Sequence, residues 1–124
     1  MITDTVNADL EAILRLTVQG TDGKSVEINA VIDTGFNGYL TMPADLIEEL
    51  KLPWLFRQQG ELADGSFHIF DVHAGTILWE GRQRDVEIEV ANTEPLLGMG
   101  MLAGQILNID VITGGSVAIS GRTK

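Results

Sequence analysis

The residue most able to do chemistry is Asp33, set in the run Ala30-Val31-Ile32-Asp33-Thr34-Gly35-Phe36-Asn37-Gly38. A carboxylate that follows directly on three apolar residues is penalised by burial. It needs hydrogen bonds, an opposite charge or a functional reason to be there. Thr34 supplies a hydroxyl able to brace the loop. Gly35 lets a second backbone or a ligand approach closely, and its N–H can donate to the carboxylate. The same tripeptide also serves as an ordinary turn after a strand, and the residues alone leave both readings open.

Other candidates carry less. His68 and His73 fall on opposite faces of a regular strand and have no cysteine to support a metal site, so no metal is expected. Gly98-Met99-Gly100 with Gly104 has a glycine-rich look, but too little chain follows for a βαβ nucleotide unit. It reads as a packed glycine turn, with Met99 and Met101 as apolar packing and no cofactor implied. Asp85, Glu87 and Glu89 alternate with Val86, Ile88 and Val90, which makes them the solvent face of a strand. Trp54 and Trp79 read as core or interface anchors.

The elements that must hold Asp33 are mostly short strands. Leu10, Ala12, Leu14, Leu16 and Val18 keep a two-residue period, and Asp22-Gly23 turns the chain. Val26, Ile28, Ala30 and Ile32 then run up to Asp33 with an apolar ending that predicts burial on both faces. Pro43 suits a first helical position; Leu46, Ile47 and Leu50 give that helix its stripe, and Pro53 marks its exit. Gln59–Leu62 and Ser66–Val72 flank Asp64-Gly65 as a hairpin, continuing to Trp79 and a turn at Glu80-Gly81. Leu96–Ala103 reads as a short buried strand entering a helical turn. Leu107, Ile109 and Val111 alternate, Gly114-Gly115 turns, and Val117 and Ile119 close the chain. The expected fold is mainly β, a barrel or sandwich with one or two short helices.

Asp33-Thr34-Gly35, the hairpin at Ala63-Asp64-Gly65-Ser66 and the later Pro95-Leu96-Leu97-Gly98-Met99-Gly100-Met101-Leu102 occur in that order. This arrangement resembles the retroviral-type (retropepsin-like) aspartic proteases. The run from Asp33 to Pro43 is similar to the small prokaryotic proteins described as single-domain clan AA aspartic proteases. The resemblance implies a retropepsin-like acid-protease barrel over residues 1–124. It implies Asp33 as the catalytic residue, Thr34 and Gly35 as support of its loop, and Ala63–Ser66 as a flap over a peptide or protein substrate. Leu97 and Gly98 would pack against the catalytic loop. One chain carries one such aspartate, so the resemblance also implies a homodimer, with Thr34 from each copy reaching across its axis. The terminal strands, including Val117 to Ile119, would be candidates for an intersubunit sheet. Three features depart from the family: Phe36 replaces a small residue, Met99-Gly100 replaces an arginine-containing pair, and Asp64 and Ser66 stand in a flap that is elsewhere glycine-rich.

Composition narrows the alternatives. Hydrophobic residues make up 44% and charged residues 21%, ordinary for a folded globular domain, and there is no cysteine. Eight basic against 18 acidic residues give a net charge of −10, which disfavours nucleic acid and anionic membranes as partners. Met1–Asp9 has no basic region followed by an apolar run, so a cytoplasmic protein is expected. Two further readings compete with the peptidase: a dimeric binding or regulatory module that keeps the fold without proteolysis, and an unrelated β-domain with a chance turn.

Overall fold

A computed structural model describes residues 1–122. The elements run β1 (Ile2–Thr5), β2 (Ile13–Gln19), β3 (Ser25–Ile32), β4 (Leu40–Met42), α1 (Ala44–Glu49), β5 (Trp54–Glu61) and β6 (Phe67–Trp79). They continue as β7 (Arg82–Val90), β8 (Leu96–Leu97), α2 (Met99–Leu102), β9 (Gln105–Ile109) and β10 (Ser116–Gly121). Alternation did its work in β2, where Leu14, Leu16 and Val18 are buried and Arg15 is exposed. The turn into β3 uses Gly23 at a φ of 84°, in the left-handed region that favours glycine.

Seven strands form one sheet in the order β2-β3-β8-β4-β7-β6-β5. It curls back on itself, because β2 also pairs β6 through Val18 with Ile77 and Gln19 with Thr76. One face carries the core, with Leu14, Leu16, Ala30, Leu40, Met42, Ile77, Ile88 and Leu97 packed with Ile47 of α1, Leu50 just after it and Met101 of α2. A second, smaller sheet has the order β1-β10-β9. Val6, Ala12 and Val117 form its contact with the body, and Ile32, the residue before Asp33, packs against both clusters.

Several boundaries differ from expectation. Leu10 is not in a strand; it lies in a turn at a φ of 60°, because Asn7 caps residues 9 and 11 with its side-chain oxygen. Pro43 is the cap before α1 and not its first residue. Val111 falls in an exposed turn, since Gly115 bends the chain so tightly on Asp110 and Ile112 that a side chain there would strike their carbonyls. Strand β1 had no signal in the sequence at all.

The terminal strand corrects a further expectation. Val117 to Ile119 lie in the middle strand of the small sheet, paired on one edge with β1 and on the other with β9. Both rows of backbone hydrogen bonds are used within the chain, so β10 has none left for a partner copy. An intersubunit sheet would have to form on β1 or β9.

Candidate active site

Strand β3 ends at Ile32, and the chain leaves it in a loop fixed from three sides. Ile32 N–H donates to the Ala12 carbonyl at 2.9 Å, and Asp33 N–H donates to the Leu97 carbonyl at 2.9 Å. The Phe36 amide closes the turn on the Asp33 carbonyl at 3.1 Å. Within that turn Gly35 N–H donates to Asp33 Oδ1 at 2.9 Å. A β-carbon on Gly35 would sit 3.3 Å from the same oxygen, so glycine keeps the approach open. Asp33 is half-buried, while Thr34 and Gly35 are exposed.

Leu97 and Gly98 come to this loop through an unusual insertion. The two-residue β8 lies between β3 and β4, parallel to the first through Ile32 and Leu97 and antiparallel to the second through Leu40 and Leu97. Three amides then bind the 33–39 loop to the start of α2. Gly98 donates to Tyr39 at 2.9 Å, Met99 to Phe36 at 2.7 Å and Gly100 to Gly38 at 3.0 Å. Thr41, buried between Leu40 and Met42, accepts the Leu96 amide on Oγ1 at 2.9 Å.

Two of the sequence departures acquire a physical meaning here. The Phe36 ring lies against Gly38 and Gly98, where any β-carbon would overlap it. Gly100 is held as glycine by the Asn37 carbonyl, 2.8 Å from where its β-carbon would be. The bracing of this loop is therefore made by backbone groups and one aromatic ring. Arg84 completes it: its Nη1 donates to the Met101 carbonyl at 2.9 Å, and its guanidinium lies over the Tyr39 and Trp79 rings at 5.9 and 6.0 Å. Nothing in the sequence singled out Arg84 or Thr41.

The hairpin β5–β6 projects with both strands exposed from Leu55 to Gln59 and from Phe67 to Ile69. Its tip is a tight turn. Gly65 has a φ of 85°, the Leu62 and Ser66 backbones pair at 2.7 Å, and Asp64 accepts both the amide and the hydroxyl of Ser66. The Ser66 hydroxyl, and then its amide, hold the Asp64 carboxyl below its ordinary value. Ala63, Asp64, Gly65 and Ser66 thus form one structural unit, but no hydrogen bond among the described residues joins it to the Asp33 loop. Leu62, Phe67 and Ile69 leave apolar side chains in solvent along the hairpin.

The two histidines are separated in role as well as in face. His73 Nδ1 meets the Leu52 carbonyl at 2.9 Å, and His68 stacks on Phe70. Trp79 is in the core, and Trp54 is exposed with its Nε1 on Asp71. Of the acidic series, Asp85 and Glu87 are exposed as expected. Glu89 is not: it is half-buried with its carboxylate against Gly38, and burial, then the nearby Glu87, pushes it above the ordinary glutamate value.

Among the described residues no helix is long and apolar enough to cross a membrane. No protein-family model matches the sequence, and no curated protein matches it either. Solved structures do match. The EIAV protease complexed with the inhibitor HBY-793 superposes with a TM-score of 0.56 at 20% identity, over 80% of this chain and 91% of that one. The solution structure of the simian foamy virus (mac) protease gives 0.50 at 18% identity, over 72% of this chain and 91% of that one. The chain has the retropepsin-like fold of the retroviral aspartic proteases.

Proposed function

We propose that the protein is an aspartic endopeptidase, a single domain over residues 1–124 that works as a homodimer with Asp33 as its catalytic residue. The observation that carries the reading is the placement of Asp33. It follows the last residue of a central strand, in a loop held through main-chain hydrogen bonds by Leu97, Gly98 and α2. Such a loop is a rigid mount for a group that must be positioned accurately.

The exposed Thr34 and Gly35 leave the outer side of the mount free for a second copy. Two aspartates brought together there cannot both ionise easily, and the pair shares a proton. The ionised carboxylate takes a proton from a bound water as that water attacks the peptide carbonyl carbon. The protonated one hydrogen-bonds the carbonyl oxygen and stabilises the negative charge developing on it. Proton transfer to the departing nitrogen then breaks the C–N bond and releases an amine and an acid. The β5–β6 hairpin with Ala63–Ser66 at its tip closes over an extended peptide and excludes water. No metal or other cofactor enters these steps.

A peptide-library digestion scanned across pH, with wild-type and Asp33→Asn protein, tests the reading. Cleavage by the wild type that Asp33→Asn abolishes supports it. Absence of any Asp33-dependent cut at every pH overturns it.

A further inference from the structure

The small sheet has two edges, and hydrogen-bond accounting separates them. Backbone groups of an antiparallel strand point alternately to one neighbour and the other. Val6 N–H donates to the Gly115 carbonyl, and Asp110 N–H to the Ser116 carbonyl, both at 2.9 Å. By register, Ile2 and Asp4 then bond β10 from one side, and Ile106 and Asn108 bond it from the other. The groups left pointing outward are those of Thr3 and Thr5 on β1, and of Gln105, Leu107 and Ile109 on β9. On β1 that edge is already engaged. Asp4 Oδ1 accepts the Thr5 amide at 2.9 Å, and Asp4 Oδ2 accepts the Arg15 amide at 2.9 Å and its Nε at 3.4 Å. On β9 no backbone hydrogen bond among the described residues reaches the outward groups.

Charge and position select the occupant. A chain with a net charge of −10 is repelled by its own copy over most of its surface. Strand β9, Gln105-Ile106-Leu107-Asn108-Ile109, carries no charge, and neither do Ala118 and Ser120, its ladder neighbours on the outer face. Ile106 is 45% exposed, and Val111 and Ile112 continue the exposed apolar surface past the end of the strand. On the inner face Leu107 and Ile109 pack, together with Ile32, against Val6, Ala12 and Val117. The strand end that carries Asp33 and the inner side of β9 therefore share one small core. The free edge of the large sheet, β5, differs on both counts: it belongs to the projecting hairpin and bears Arg57 and Glu61.

We infer that two copies of the chain join edge to edge through β9, antiparallel about a two-fold axis at Leu107, into a six-stranded sheet β1-β10-β9-β9-β10-β1. This register pairs every outward group. Leu107 faces Leu107 of the partner subunit, and Gln105 faces Ile109 of the partner subunit. Ile106 lies beside Asn108 of the partner subunit, and Asp110 meets Gly104 of the partner subunit, so no acid opposes another. No terminal strand is exchanged, and β1 and β10 stay within their own chain. The inference rests on the two-chain reading of the Asp33 site and deepens it by naming the surface that brings the second Asp33.

Sedimentation of the full chain across a concentration series tests the interface, with peptide cleavage measured on the same samples. Ile106→Asp and Asn108→Lys change exposed side chains, so each variant folds. Each change falls twice in a symmetric dimer and should raise the dissociation constant about tenfold. The two variants mixed should associate more tightly than either alone, because the new acid and the new base lie across the axis from each other. Thr3→Asp, on the outer face of β1, should leave association unchanged. A dimer that ignores both β9 changes, or one that Thr3→Asp breaks instead, overturns the inference; Asp33-dependent cleavage in that sample keeps the peptidase. A dimer that follows the β9 predictions without any cleavage keeps the interface and overturns the peptidase. A monomer at every concentration overturns the interface, and if it also cleaves nothing, both readings fall.

Discussion

Gly98 offers the sharpest test of how the Asp33 loop is held. Its φ is −99° and its ψ 173°, extended backbone that alanine adopts freely. By conformational entropy alone, Gly98→Ala should stabilise the protein by about 0.4–1 kcal/mol. The packing says the opposite. A β-carbon at Gly98 would overlap the Gly38 carbonyl oxygen and lie 2.6 Å from Phe36 Cδ2 and 2.8 Å from the Phe36 carbonyl oxygen. The ring can turn aside, but the two carbonyls cannot. They are tied by the amides of Met99 at 2.7 Å and Gly100 at 3.0 Å. Overpacking of this kind costs about 1–3 kcal/mol, and each of two loosened hydrogen bonds adds about 1 kcal/mol. The net expectation is destabilisation of about 3 kcal/mol, or a fall in Tm on the order of 10 °C for a domain of this size. Thermal unfolding at matched protein concentration measures it, with Gly121→Ala as control because nothing lies within 4 Å of that site. A Tm for Gly98→Ala equal to or above the wild type would refute the interlock.

Other perturbations follow from the same geometry. Arg84→Met should lower stability by about 1–2 kcal/mol in urea unfolding, because the Met101 carbonyl loses a charged donor and keeps the longer bond from the Gln105 side chain at 3.3 Å. For Glu89, whose folded pKa is raised above 4.5, the native state binds more protons than the unfolded chain, so stability is lost as pH rises through the folded pKa. Glu89→Gln should flatten that part of the stability–pH curve and gain relative to wild type at neutral pH; parallel curves would contradict the burial. Asp64 has the reverse sign, lowered by Ser66, so the stability it lends is lost as pH falls. Asp64→Ala should speed hydrogen exchange at the Ser66 amide while leaving β2 and β3 unchanged.

What the sequence made legible was local. The turns at Asp22-Gly23, Asp64-Gly65 and Glu80-Gly81 and the alternation around them located β2, β3, β6 and β7, since each hairpin is written in adjacent residues. Asp33 and Leu97-Gly98 could be named as partners only through the family resemblance, because β8 reaches β3 as a parallel neighbour from far along the chain. Strand β1 escaped notice for a related reason: Ile2-Thr3-Asp4-Thr5 has one apolar residue, and its partner is β10 at the other end. Glu89 was assigned to solvent by its alternation with Val86 and Ile88. Periodicity gives the face of a strand correctly, but not whether a loop such as 33–39 will cover that face.

Mixing tests the two-chain site most directly. Wild-type and Asp33→Asn proteins are combined in varying ratio, allowed to exchange subunits, and assayed on one cleaved peptide. If each site needs Asp33 from two chains, activity falls as the square of the wild-type fraction, to about a quarter at equal amounts. A linear fall, to about half, would mean that a single chain carries the whole site.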